Sequence, residues 1–304
     1  MSEDSLSTYG KLLEERGVMP KGFRSGVASL SFIPAERPTQ EPYKMNISAL
    51  VTDKPVSSVA GVFTQNAFPG APVIIARQRI PGKQIQGFFV NNRISNVSSP
   101  TGIEDALTLS GSMAHHLGTQ GDVILPVSTG IIGWRLPVTE MLQAQHQLME
   151  NLQDQSLVSF SRAIMTTDSF PKIRRAPLGS GSLVGVAKGA GMIEPNLATM
   201  LVFLVTDVKF DPDKAQQILG QVAERTFNSI SVDSDQSTSD MVTLLGSEVY
   251  DQVDQQALEH ALFQVCSQLA EDIVRNGEGT SHVIQMTVLG RSSHLEARSI
   301  ARLL

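Results

Sequence analysis

Residues 182–206 contain two apolar runs separated by a glycine-rich loop. The first run, 182–187, reads SLVGVA; the loop, 188–199, reads KGAGMIEPNLAT; and the second run, 200–205, reads MLVFLV. An uninterrupted apolar run of this length, bounded by turn residues, is typical of a strand that is buried on both faces. The sequence therefore predicts buried strands at 182–187 and 199–206, which require a large core.

The composition is that of an ordinary globular chain. Hydrophobic residues make up 41% and charged residues 18% of the 304 residues, which argues against disorder. The net charge is −6 and the densest basic cluster is residues 172–175, so a nucleic-acid partner is not expected, because phosphate contacts need a basic surface. Cys266 is the single cysteine, which excludes an intrachain disulfide and fits a reducing compartment.

The N-terminus and the hydropathy pattern predict a cytoplasmic protein with no membrane partner. The chain starts with the acidic sequence MSEDSLS, whereas a signal peptide starts with a basic segment followed by an apolar one. No apolar run approaches the roughly 20 residues that a membrane span needs.

Periodicity and turn residues predict a mixed fold in which strands often follow one another directly. Residues 1–25 are expected to form a polar N-terminal segment. Strands are predicted at 45–52, 59–63, 72–76, 87–90, 123–127, 182–187, 199–206 and 282–289, and helices at 106–117, 137–152, 156–165, from Asp211 onwards, and at 255–275. The last helix is expected to stop at Asn276-Gly277 in a left-handed conformation. Consecutive strands favour sheets sandwiched by helices over a doubly wound parallel sheet.

Thr199 carries the strongest chemical hypothesis. Its hydroxyl can attack the preceding carbonyl, that of Ala198, and form an ester that water then hydrolyses. The product is a threonine whose α-amine, with a reference pKa of roughly 7.7–8.0, can act as a base for its own hydroxyl. The simpler interpretation of Thr199 is a β-branched residue that begins a buried strand.

Four further segments decide between these interpretations. They read STGIIG at 128–133, AIMTTDSFPK at 163–172, TFNSISVDSDQSTSD at 226–240 and IVRNGEG at 273–279. In order and spacing, together with 188–199, they resemble the ornithine acetyltransferase (glutamate N-acetyltransferase) family. The resemblance implies an α/β (α+β) fold of the N-terminal-nucleophile-like type, a sandwich of β-sheets flanked by helices.

The resemblance also implies a role for each matching residue. Thr199 is the expected nucleophile, and the hydroxyl of Thr129 with the N–H of Gly130 is expected to form the oxyanion hole. A tight glycine turn suits this task because it can present a backbone donor where negative charge develops. The substrate-binding residues implied by the family are Thr166, Lys188 and Glu278.

The aspartates of the segment 226–240 allow a second interpretation. Asp233, Asp235 and Asp240 are spaced carboxylates of the kind that hard cations prefer. We favour a structural loop, because the spacing differs from that of a calcium loop and the family needs no metal or other cofactor.

The implied self-cleavage lies between Ala198 and Thr199. It divides the chain into an α-chain-like region, 1–198, and a β-chain-like region, 199–304, which are expected to stay together and to assemble as a homo-oligomer of such pairs. Small-molecule amino acids are the implied substrates, with an acetyl group passing from an N-acetylornithine-like donor to a glutamate-like amine by a ping-pong route.

The chain departs from the family pattern at two sites. The asparagine-rich segment before the oxyanion loop is altered to VNNRISNVSSPTG at 90–102, and His282 stands where the family has a lysine. The family's C-terminal segment, which supplies an asparagine and a serine or threonine to the substrate site, has no counterpart in the sequence. Two alternatives follow from these differences: an N-acyl amino acid hydrolase of the same fold, and a non-catalytic paralogue that acts as a partner subunit.

Overall fold

The computed structural model describes residues 3–193, 200–290 and 293–303. The helices are α1 (Glu3–Arg16), α2 (Ala71–Arg79), α3 (Gly102–His116), α4 (Val138–Glu150), α5 (Val158–Ala163), α6 (Pro212–Arg225), α7 (Gln255–Arg275) and α8 (His294–Leu303). The strands are β1 (Phe23–Phe32), β2 (Tyr43–Val56), β3 (Val59–Phe63), β4 (Ile85–Asn91), β5 (Ile124–Ser128), β6 (Lys172–Leu178), β7 (Gly181–Lys188), β8 (Leu201–Val208) and β9 (Met241–Tyr250).

The strands form two mixed sheets. The four-stranded sheet has the order β1-β2-β4-β5 and the five-stranded sheet has the order β3-β9-β8-β7-β6. Strands β4 and β5 are parallel, as are β8 and β9, while the other neighbours pair antiparallel. The predicted buried strands 182–187 and 199–206 correspond to β7 and β8, which lie side by side in the middle of the larger sheet.

The two sheets pack face to face between two layers of helices. Phe203 of β8 meets Phe88 of β4 across the interface with ring centroids 5.1 Å apart, and both belong to the core between the sheets. Val202 and Leu204, which alternate with Phe203, face the opposite core under α6 and α7. A third core lies between the smaller sheet and the helices α3 and α4. The predicted sandwich of sheets flanked by helices is thus confirmed.

Several local predictions were wrong. Residues 72–76, predicted as a strand from their β-branched run, belong to α2, where Pro72 occupies the first turn after Gly70. Residues 282–289 form no strand, and Ile284 and Leu289 are 81% and 83% exposed. An alternating apolar run becomes a strand only beside a partner, and the described residues supply none.

The structure adds two further details, one at the N-terminus and one at the end of α7. Residues 3–16, for which the sequence predicted only a polar segment, form α1. Helix α7 has the predicted bounds, but its last residue is followed by Asn276 at φ −98°, which is outside the left-handed region. The N–H of Asn276 continues the helical pattern by donating to the carbonyls of Asp272, Ile273 and Val274.

The predicted division at residues 198 and 199 cuts through a sheet. Strands β3, β6 and β7 come from the region 1–198, and β8 and β9 come from the region 199–304. The two regions therefore share one hydrogen-bonded ladder. Among the described residues, no helix is long and apolar enough to cross a membrane.

Candidate active site

The loop after β5 has a shape that only glycine permits. Gly130 has φ +131°, and a Cβ atom built on it would lie 2.1 Å from the carbonyl carbon of Arg93. The N–H groups on either side are used: Thr129 donates to the Asn91 carbonyl at 3.1 Å and Ile131 to the Arg93 carbonyl at 2.9 Å. The N–H of Gly130 donates no hydrogen bond to any residue that the structure describes.

Lys188 lies directly behind this loop. It is the last residue of β7 and only 2% exposed, and its Nζ donates a hydrogen bond to the Thr129 Oγ1 at 3.1 Å. Burial lowers the pKa of Lys188, and the nearby Asp168 carboxylate opposes this effect. The structure thus brings together two predicted site residues that are 59 positions apart in the sequence.

Asp168 ties the glycine-rich loop to the segment 163–172. Its Oδ1 accepts hydrogen bonds from Lys172 Nζ at 2.6 Å and from the N–H of Gly189 at 2.7 Å. Burial raises the pKa of Asp168, but the ammonium groups of Lys172 and Lys188 outweigh it and hold the pKa below its ordinary value. The carboxylate is therefore charged within a site that contains two buried lysines.

Thr166 enters this arrangement through its backbone. Its N–H donates to Asp168 Oδ2 at 3.2 Å, whereas its hydroxyl forms no hydrogen bond with the described residues. The half-buried side chain does not contact the Thr129–Lys188 pair through any hydrogen bond found in the described part of the chain.

Lys172 and Asn276 complete the network, and the sequence did not point to either. Lys172 has a side chain that is 0% exposed and donates to Asn276 Oδ1 at 2.7 Å. Asn276 also accepts from the N–H of Ser169 at 3.2 Å. The only sequence signal was their position inside two of the quoted segments, because a lysine is usually a surface residue.

Glu278 lies beside the glycine-rich loop at the solvent-exposed edge. Its N–H donates to the carbonyl of Ala190 at 2.7 Å. Its carboxyl carbon would lie 3.1 Å from a Cβ atom at Gly191, so this glycine lets the carboxylate approach the loop. The Glu278 charge also acts on the buried Lys188 ammonium and favours its protonated form.

Ala198 and Thr199 lie outside the described residues, within 194–199. The strand register defines what lies next to this segment: Lys188 pairs with Leu201 across β7 and β8, and Leu201 pairs with Met241 across β8 and β9. Lys188 therefore stands opposite the second residue after Thr199.

The acidic loop 226–240 binds backbone amides on both sides of that segment. Asp233 accepts from the N–H groups of Met192 and Ile193, and Asp240 accepts from the N–H of Met200 at 2.8 Å. These contacts fit the structural-loop interpretation. Among the residues that the structure describes, no group of three or more His, Cys, Asp or Glu side chains could hold a metal ion.

Comparison with known proteins identifies the lineage. Residues 37–304 match the model of the ArgJ family. The chain is 35% identical over 260 residues to arginine biosynthesis bifunctional protein ArgJ 2 of Clostridium acetobutylicum, covering 85% of this chain and 67% of that protein. It is 40% identical over 253 residues to the glutamate N-acetyltransferase of Methanopyrus kandleri, covering 81% of this chain and 65% of that protein. The chain belongs to the ArgJ family.

This ArgJ-family chain spans about two thirds of the length of these curated relatives. Among solved structures, it is similar to an ArgJ from Bacillus halodurans, with 26% identity and a TM-score of 0.44, over 60% of this chain and 95% of that chain. The family match over residues 37–304 and the two curated relatives confirm the resemblance to the ornithine acetyltransferase family that the sequence motifs indicated.

Proposed function

We propose that this chain is a self-processing acyltransferase. It cleaves itself between Ala198 and Thr199, and Thr199 then carries an acetyl group from an N-acetylornithine-like donor to a glutamate-like amine. The observation that carries the proposal is the buried hydrogen bond between Lys188 and Thr129. It lies beside the N–H of Gly130, which no described residue accepts, and Lys188 pairs with Leu201 across the sheet. The names of the relatives, an arginine biosynthesis bifunctional protein and a glutamate N-acetyltransferase, agree with this reaction class.

Cleavage requires no cofactor. The Thr199 hydroxyl attacks the Ala198 carbonyl carbon, the peptide C–N bond breaks, and the amine nitrogen takes the hydroxyl proton. Water then hydrolyses the resulting ester and leaves a carboxylate on Ala198 and a free amine on Thr199. The region 1–198 and the region 199–304 remain associated because they share the five-stranded sheet.

Acyl transfer uses the same hydroxyl. The α-amine of Thr199 takes the hydroxyl proton as the oxygen attacks the donor's acetyl carbonyl, and the protonated amine returns that proton to the departing ornithine-like amine. A glutamate-like amine then attacks the acetyl ester, which restores the threonine hydroxyl and releases the N-acetylated product.

Lys188 orients the hydroxyl of Thr129 as a hydrogen-bond donor. A lysine ammonium can only donate hydrogen bonds, so the Thr129 oxygen is the acceptor in their contact, and the hydroxyl proton stays free for another partner. That proton and the N–H of Gly130 are the two donors that would stabilise the tetrahedral oxyanion. The ammonium further polarises the hydroxyl and makes it a better donor.

Glu278 and Thr166 are the proposed contacts for the amino-acid substrate. The exposed carboxylate of Glu278 stands over Gly191 and suits the ammonium of an amino-acid substrate. Thr166 keeps a hydroxyl that no described residue uses. Assembly of cleaved pairs into a homo-oligomer stays a prediction.

The test is an incubation with N-acetylornithine in the presence and absence of glutamate. We expect glutamate-dependent formation of N-acetylglutamate with release of ornithine, and no turnover by Thr199→Ala. Acetate release at a rate that glutamate leaves unchanged would establish the hydrolase instead. A chain with neither activity and no cleavage would indicate the non-catalytic paralogue.

A further inference from the structure

One short segment fixes both ends of the loop that contains the expected cleavage site. Before the loop, Ile193 donates its N–H to Asp233 Oδ1 at 2.7 Å and accepts from the N–H of Val232 at 2.8 Å. After the loop, Met200 donates its N–H to Asp240 Oδ1 at 2.8 Å and accepts from the N–H of Met241 at 3.2 Å. Residues 231–241 thus hold the two flanks through the same kind of contact.

The side chains of Asp233 and Asp240 contact different products of the proposed cleavage. Breaking the Ala198–Thr199 bond leaves Ile193 and its contact with Asp233 on the departing side. Met200 stays bonded to Thr199 through the nitrogen that Asp240 holds. The Asp240 contact therefore persists through every later step, whereas Asp233 acts on a chain end that no longer carries the nucleophile.

The carboxyl group of Asp240 lies in an unusual environment for an acidic residue. It is 0% exposed, and its Oδ2 accepts no hydrogen bond from the described residues, although the Ser237 side chain lies nearby. A buried polar atom without a partner is costly, and few such atoms occur in folded proteins.

Asp240 and Lys188 flank the start of β8 from its two sides. The ladder runs from Lys188 to Leu201 to Met241, and Met200 and Asp240 each lie one residue before the start of their strand. Lys188 acts on Thr129, the expected oxyanion donor, and Asp240 acts on the residue that follows the expected nucleophile.

We propose that Asp240 is a positioning residue for the expected nucleophile: it holds the amide of Met200, the next residue in the chain, and so fixes the start of β8 during both cleavage and acyl transfer. This inference rests on the proposed function. This role depends on the Asp240 oxygen that accepts from the Met200 N–H, because a displacement of about 1 Å at a reacting group can cost roughly 100-fold in rate. Asp233 assists cleavage only.

Three substitutions in the full-length chain separate these roles. Asp240→Asn keeps the acceptor and the shape of the side chain. Asp240→Leu keeps the branching of the side chain at Cγ but removes both oxygens, and it avoids the cavity that alanine would leave. Asp233→Asn keeps the acceptor at the other end, and Asp233→Ala removes it.

Three readouts are needed. Mass spectrometry follows the fraction of chain cleaved with time, and kcat and KM for N-acetylornithine are measured per cleaved chain. Hydrogen exchange of the Met200 amide, observed by NMR on protein labelled with [15N]methionine, reports the contact itself in the absence of any activity.

We expect Asp240→Leu to slow cleavage, to lower kcat about 100-fold with little change in KM, and to speed exchange of the Met200 amide. Asp240→Asn should stay within a few-fold of the parent in all three readouts, and Asp233→Ala should slow cleavage but keep kcat. An Asp240→Leu chain with parental kcat, or a Met200 amide that stays protected, would overturn the role of Asp240. Equal damage from Asp240→Asn would overturn the role of the acceptor. A parent chain that neither cleaves itself nor transfers an acyl group would instead contradict the proposed function. The hydrogen-exchange data test only the contact between Asp240 and Met200, so they separate the two failures.

Discussion

The Nζ of Lys188 and the Oγ1 of Thr129 are 3.1 Å apart, and both side chains are almost completely removed from solvent. The lysine ends β7 and the threonine follows β5, so the contact joins the two sheets. A buried lysine carries a desolvation cost that its neighbours must offset. Its proximity to Asp168 supplies part of that offset, and the rest of the site is arranged around the pair.

Removing the Thr129 hydroxyl should cost activity rather than affinity. Thr129→Val keeps the shape but leaves the oxyanion one donor short, and we expect kcat per cleaved chain to fall by about 100- to 1,000-fold with KM little changed. Thr129→Ser should recover most of the loss. Steady-state kinetics on both variants checks this, and a Thr129→Val enzyme within three-fold of the parent would rule Thr129 out as a donor.

Gly130→Ala should damage the oxyanion loop. The added Cβ would meet the carbonyl group of Arg93 at 2.1 Å, and the φ of +131° is unfavourable for alanine, so the loop must move. We expect kcat to fall by roughly 100-fold. Gly111→Ala on α3, where a Cβ meets nothing within 4 Å, is the matched control and should keep full activity. Equal rates for the two variants would show that the loop does not contribute.

Asp168→Asn should destabilise the fold by about 3–5 kcal/mol, because it leaves the buried Lys172 ammonium without its counter-ion. The pKa of Asp168 lies below its ordinary value, so the carboxylate contributes stability above pH ~4 and loses it as the pH falls through the folded-state pKa. Urea unfolding across this range should therefore show the gap between parent and variant closing at low pH. A gap that stays constant with pH would contradict the assignment.

Asp240→Asn should change stability in the opposite sense with pH. Burial raises the pKa of Asp240 well above its ordinary value, so the folded chain retains a proton that the unfolded chain loses above pH ~4. Parent stability then falls as the pH rises towards the folded-state pKa, while the amide variant has no such loss. The variant should gain stability relative to the parent as the pH rises above ~4 in the same urea experiment. A relative loss would indicate that Asp240 is ionised in the fold.

Glu278→Gln should weaken substrate binding without slowing the chemical step. A charged hydrogen bond contributes about 1.5–3 kcal/mol, so KM for the amino-acid acceptor should rise by roughly 10- to 100-fold at nearly constant kcat. Glu271→Gln is the control substitution, because Glu271 is exposed on α7 and pairs with Arg275 one turn later in the same helix. A fall in kcat with unchanged KM would give Glu278 a different role.

The central strands were predictable because their physics is local. An apolar run such as 200–205, rich in β-branched and aromatic residues and bounded by turn residues, favours a strand covered on both faces, and β8 is such a strand. Asp211 and Pro212 likewise begin α6 as their side chains dictate, with Asp211 accepting from the N–H groups of Asp213 and Lys214. The strand predicted at 72–76 was wrong because packing of a short apolar segment against a sheet decides between helix and strand.

The network behind the site could not be derived from the sequence. Lys172 and its partner Asn276 are 104 positions apart in the sequence, and Asp240 and its partner Met200 are 40 positions apart. Only the tertiary fold brings these residues together. A lysine that is 0% exposed also violates the usual preference of this residue for the surface. The family resemblance assigned Thr129 and Lys188 to the same site, but it did not predict the hydrogen bond between them.

The most direct test of the account is the intact mass of the purified full-length chain under denaturing conditions. The account predicts two polypeptides whose masses meet between Ala198 and Thr199, and a single uncut polypeptide for Thr199→Ala. A parent chain that remains whole while it transfers acetyl groups, or one that is cut at another bond, would contradict it.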